Sequence, residues 1–170
     1  MLWFELSKHF INTDKNIIVG VVYIPPESSK YSNREAFASI ESEMHDLISD
    51  DKYILLAGDF NARTGELDDY LLINHDTDDN EYPVRKSNFA DNDVTQKRQT
   101  SDKTINTFGR LLIEMCRANN LLILNGRIDD FTSGKPTCKG ISVVDYFIAS
   151  YHLMKYISYM SVGDTDVLFF

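Results

Sequence analysis

Tyr53-Ile54-Leu55-Leu56-Ala57-Gly58-Asp59-Phe60-Asn61-Ala62-Arg63-Thr64 is an apolar run that empties into Gly, Asp and Asn. A short apolar run of this kind, ended by turn-forming residues, reads as a buried strand. In an extended segment, residues two apart share a face, so Asp59 and Asn61 are expected to project together while Phe60 turns into the packing layer. A carboxylate and a carboxamide at a strand mouth are suited to metal-dependent phosphoryl transfer. The alternative is a structural turn in which Asp59 bonds nearby backbone N–H groups.

Upstream, Ile17 to Ile24 is a second apolar, β-branched run, stopped by Pro25-Pro26, which lack the N–H groups that pairing needs. Between the two runs, Phe37, Ile40, Met44, Leu47 and Ile48 recur at helical steps within Arg34 to Asp50. The order strand, helix, strand favours parallel neighbours joined by a crossover helix. Downstream, residues 65–103 form a polar stretch with little periodicity, expected to be poorly ordered loop. Order is expected to return with a helix over Asn106 to Asn119, stopped by Asn119-Asn120, and then a short strand over Leu121 to Leu124. Asn125 to Lys135 reads as loop, Ser142 to Ser150 as a strand and Tyr156 to Val162 as another. By alternation, Tyr146 and Phe147 are assigned mostly to the core.

The chain has 170 residues, 43% of them apolar, which suits one domain with a real core. Its formal charge of −9 argues against a broad basic surface for nucleic acid. It is compatible with a magnesium site, because carboxylates hold the ion and the ion reverses the local sign. No run approaches a spanning helix and the N-terminus has no signal-like pattern, so no membrane association and an intracellular location, cytoplasm or nucleus, are expected. Cys116 and Cys138 show no zinc-like spacing and are expected to be reduced thiols.

Three ordered pieces, Val22-Tyr23-Ile24-Pro25-Pro26, Gly58 to Thr64 and Ser142-Val143-Val144-Asp145-Tyr146-Phe147-Ile148, resemble the endonuclease/exonuclease/phosphatase family. The likeness is closest to the apurinic-like endonuclease domains of non-LTR (LINE-type) retrotransposons, and it runs from about residue 17 to the C-terminus. Arg98 to Asn106 followed by Phe108-Gly109-Arg110-Leu111-Leu112, and Leu122 to Arg127, add to it. The resemblance implies an α/β fold, here a partial four-layer α/β sandwich of two mixed sheets with helices outside, as a single incomplete domain over residues 1–170. It implies phosphodiester hydrolysis with DNA as substrate and Mg2+ or Mn2+ as cofactor. It also assigns roles. Asp59 acts on the attacking water and binds metal, Asn61 holds that water or a phosphate oxygen, and Tyr23 offers its hydroxyl to the phosphate. Asp145 orients a catalytic histidine, and Asn125 contacts the substrate strand. Arg63 is open between facing a phosphate and capping its loop.

The departures from the family pattern are equally specific. The family's metal-binding Glu has no counterpart, since Glu5 in Leu2-Trp3-Phe4-Glu5-Leu6 reads as a solvent-facing strand residue. The Ser-Asp-His segment is not matched, Asp164 and Asp166 read as turn residues, and His9, His45, His75 and His152 are read as surface or packing residues. Weak or no activity is therefore expected of these 170 residues alone. Two alternatives stand beside the endonuclease: a phosphatase or sphingomyelinase-like phosphoesterase of the same superfamily, and a non-catalytic remnant or binding module.

Overall fold

The computed structural model describes residues 1–49, 51–70, 98–128 and 134–160. In chain order the elements are β1 (Leu2–Leu6), α1 (Lys8–Ile11), β2 (Asn16–Tyr23), α2 (Ala36–Leu47), β3 (Lys52–Asp59), α3 (Thr107–Asn119), β4 (Leu121–Ile123) and β5 (Asp145–Ser150), followed by a 3₁₀ turn at Tyr151–Tyr156. The strands form one mixed sheet in the order β1-β2-β3-β5-β4. The pair β2 and β3 is parallel, as the strand, helix, strand pattern requires, and the other three pairs are antiparallel.

Register divides the sheet cleanly. Ile18, Val22, Ile54, Leu56, Tyr146, Ile148, Leu121 and Ile123 share one face and pack with Phe37, Ile40 and Met44 of α2 and Phe108, Leu112, Ile113 and Cys116 of α3. Each fully buried large side chain there contributes roughly 1.5–3 kcal/mol relative to leaving it in water. Helix α3 is bounded at both ends by asparagine: Asn106 Oδ1 accepts from Gly109 N at 2.7 Å, and Asn120 takes a left-handed φ of 52°.

Among the described residues, the opposite face is covered at one end only. Ile17, Val19, Tyr53, Leu122 and Ala149 pack under Leu153 and Met154 of the 3₁₀ turn. Farther along the same face, Leu2, Phe4, Val21 and Phe147 remain 64%, 42%, 44% and 45% exposed. Phe147 is thus not core, because strand alternation assigns a residue to a face and says nothing about what covers that face.

Among the described residues there is a single mixed sheet, with both long helices on one side of it. The strand expected at Tyr156 to Val162 is, up to Met160, the end of the 3₁₀ turn and irregular chain; Val162, Asp164, Asp166 and His75 lie outside the described residues. Of the polar stretch 65–103, the described ends are firmly tied. Asp69 and Arg127 make a buried ion pair at 2.8 Å, and Arg98 Nη2 donates to the carbonyls of Gly65 and Leu67. Among the described residues, no helix is long and apolar enough to cross a membrane.

Candidate active site

The site begins with register. Tyr23 pairs with Asp59 across β2 and β3, and Asp59 pairs with Asp145 across β3 and β5. Directly paired residues present side chains to the same face, so the phenol and the two carboxylates stand abreast on three neighbouring strands. The approach of β3 to β2 at this point depends on Gly58, whose φ is +142° and where a Cβ would fall 1.9 Å from the Val22 carbonyl oxygen. Only glycine accepts both conditions.

Beyond Asp59 the chain turns. Asn61 has a left-handed φ of 46°, so the extended geometry expected of Asp59 and Asn61 ends with β3. The two residues are brought together by another route. The Asn61 N–H donates to Asp59 Oδ1 at 2.8 Å, and its side-chain Nδ2 donates to the Ile24 carbonyl at 2.8 Å. Phe60 is completely buried, edge-on to Tyr146 at 6.2 Å between ring centroids, as its alternation demands.

Burial pushes the Asp59 carboxyl above its ordinary pKa, and the facing charge of Asp145 adds to the rise, while the Asn61 backbone and side-chain amides oppose it. A cation beside the two carboxylates would relieve the repulsion that Asp145 imposes on Asp59. The donor set is hard oxygen, which suits Mg2+ or Mn2+. Magnesium is commonly held by one or two protein carboxylates together with water and substrate phosphate. Among the described residues, no group of three or more His, Cys, Asp or Glu side chains stands together. An ion here would therefore rest on Asp59 and Asp145, with its other ligands from solvent or substrate.

The remaining expected residues have backbone or ion-pair partners. Asn125 is buried and behaves like an extra peptide unit at the end of β5: Nδ2 donates to the Asp145 carbonyl and Oδ1 accepts from Phe147 N, both at 3.0 Å. Arg63 spreads Nε and Nη2 over Asp102 at 2.8 and 2.6 Å. His45 is exposed and meets Asn119 Oδ1 at 2.7 Å, while His9 on α1 and His152 on the 3₁₀ turn after β5 are exposed. Glu5 is exposed on β1, bonded to Asn16 and Lys52. Cys116 and Cys138 are free thiols.

Two residues with a part in the site escape sequence reasoning. Thr137 Oγ1 accepts from both Val144 N and Asp145 N at 3.0 Å, and Asp102 joins the loop after β3 to the approach to β5. Thr137 carries no periodic or motif signal, and Asp102 lies in the Arg98 to Asn106 stretch that adds to the resemblance without a role assigned to it. Beside Asp145, a cleft of about 530 Å³ is lined by Val21, Ala57, Asn125, Thr137, Asp145 and Phe147, among others; Asp59 and Tyr23 are not part of its lining. Compared with protein-family models, with curated proteins and with solved structures, the chain gives no match.

Proposed function

We propose that this chain carries part of the active site of a metal-dependent phosphodiester hydrolase of the DNA-nicking type, within an endonuclease/exonuclease/phosphatase fold. The observation that carries the proposal is the row Tyr23, Asp59, Asp145 across β2, β3 and β5. Asp59 and Asp145 would hold Mg2+ or Mn2+, which when bound supplies charge neutralisation for the phosphoryl group. Tyr23, two-thirds exposed, has a free path for its hydroxyl to a phosphate oxygen. Asn61 fixes the orientation of the Asp59 carboxylate, and Asp59 accepts the proton of an attacking water. The uncovered apolar face at Leu2, Phe4, Val21 and Phe147 favours the two-sheet sandwich, in which a second sheet would cover it.

The non-catalytic reading has one observation in its favour, the lack of a third acidic or histidine ligand among the described residues. A single experiment separates the two. The chain is extended by the family's strand bearing its Glu and by Ser-Asp-His, and supercoiled plasmid is incubated with it and Mg2+. Nicking that vanishes in Asp59→Ala and Asn61→Ala is the expected result. A well-folded extended protein that leaves the plasmid intact would contradict the enzyme. Hydrolysis of inositol or lipid phosphates with no nicking would instead favour the phosphatase or sphingomyelinase-like alternative.

A further inference from the structure

We propose that Asp102 is a positioning residue of this site, bracing the approach to β5 against the loop that leaves β3 and so holding Asp145 opposite Asp59. The proposal rests on the reading that these two carboxylates act together. Asp102 lies in the loop before α3 and is 3% exposed. Its Oδ2 accepts from Arg63 Nε at 2.8 Å and from Val143 N at 3.1 Å. Its Oδ1 accepts from Arg63 Nη2 at 2.6 Å and from Thr104 N at 3.0 Å. One buried carboxylate thus grips a residue shortly after Asp59 and another shortly before Asp145.

The place matters because the ladder between β3 and β5 ends at the Asp59–Asp145 pair itself. The last pair of a ladder opens more readily than those inside it. Past that pair, Phe60 N donates to the Val144 carbonyl at 3.0 Å, Thr137 takes the N–H groups of Val144 and Asp145, and Asp102 takes that of Val143. The loop side is equally fixed. Arg63 and Asn106 exchange bonds, Arg63 N to Asn106 Oδ1 at 2.8 Å and Asn106 N to the Arg63 carbonyl at 3.0 Å, and Asn106 Nδ2 donates to the Asn61 carbonyl at 3.0 Å. Asp102 ties this rigid loop to β5. Bonds from an arginine fork are charge-assisted and directional, which suits a brace.

The test is Mn2+ affinity by electron paramagnetic resonance, together with amide hydrogen exchange at Asp145, on the folded chain and on Asp102→Ala, Asp102→Asn and Arg63→Ala. Loss of a supporting hydrogen-bond partner typically weakens metal binding about 10–100-fold. Asp102→Ala is expected to weaken Mn2+ binding by at least about tenfold and to speed exchange at Asp145, with Asp102→Asn, which retains one acceptor oxygen, between it and the parent. Faster exchange confined to Val143 and Thr104, with Asp145 and Mn2+ affinity unchanged, would overturn the proposal and leave Asp102 a local structural residue. Should Asp102→Ala not fold, Asp102→Asn and Arg63→Ala are judged by the same criteria. If the parent chain binds no Mn2+, the proposed function fails, and exchange at Asp145 still decides the brace by itself.

Discussion

Replacing Asp59 by Asn separates a working carboxylate from a structural one, because the two readings give stability changes of opposite sign. Asn at 59 keeps an oxygen able to accept the Asn61 N–H, so the turn survives the change. What disappears is a partly buried charge directly across the ladder from Asp145. Like charges in directly opposed strand positions are destabilising, here taken as comparable in size to the roughly 0.2–1 kcal/mol of other cross-strand pairs. Asp59→Asn should therefore raise the stability of the metal-free protein by about that amount, or up to about 4 °C in Tm for a chain of this size. The sign follows from the raised pKa. The folded protein holds its proton to higher pH than the unfolded chain, so ionising Asp59 removes stability as pH rises above the ordinary carboxylate range. The gain in Asp59→Asn should accordingly be present at pH 7 and shrink toward pH 4. With Mg2+ the order reverses. A ligand at ten times its Kd adds about 1.4 kcal/mol to the protein that binds it, and Asp59→Asn should lose most of that increment. Differential scanning fluorimetry at pH 7 and pH 4, with and without Mg2+, reads all four values. A lower Tm for metal-free Asp59→Asn, together with an unchanged response to Mg2+, would show that Asp59 is a turn-forming residue and refute the reasoning.

Asp69→Ala should destabilise by about 3–5 kcal/mol in urea denaturation, because it leaves the fully buried Arg127 guanidinium without its carboxylate and the Ile123 N–H without its acceptor. Gly58→Ala should leave little soluble, folded protein by circular dichroism, since its Cβ has no room beside the Val22 carbonyl and its φ is unfavourable for any other residue. Asp14 is held down to about 2, first by the Tyr156 hydroxyl and then by that of Tyr53, so it contributes stability that is complete above the ordinary carboxylate range and lost as pH falls toward 2. In Asp14→Asn the melting temperature should fall less steeply between pH 5 and pH 2 than in the parent chain.

Most of the sheet and its two long helices can be read from residue spacing. The runs at Ile17 and Tyr53 are apolar because β2 and β3 are interior strands, and Phe37, Ile40 and Met44 mark the buried stripe of α2. The abreast placement of Tyr23, Asp59 and Asp145 was also approachable, since each ends or begins an apolar strand. What spacing could not convey is tertiary. Asn61 adopts a left-handed conformation that asparagine tolerates without leaving a pattern. Phe147 sits on a face whose covering is not encoded in β5. Tyr156 to Met160 has the aromatic and β-branched content of a strand, yet it begins at the last residue of a 3₁₀ turn whose Leu153 and Met154 already occupy the sheet face. Asp102 and Thr137 work through side-chain bonds, Asp102 to the Arg63 guanidinium and the Val143 N–H and Thr137 to the Val144 and Asp145 N–H groups, which no spacing in the sequence foretells. Arg63 was ambiguous for the same reason: its partner lies far along the chain in a segment without periodicity.

Paramagnetic broadening of the NMR spectrum by trace Mn2+ tests most directly whether the three abreast side chains form one site. Resonances of Tyr23, Asp59 and Asp145, on three separate strands, should broaden first and together, and Asp59→Asn should abolish the effect at all three. Broadening that spares these residues and follows the exposed acidic side chains elsewhere would contradict it.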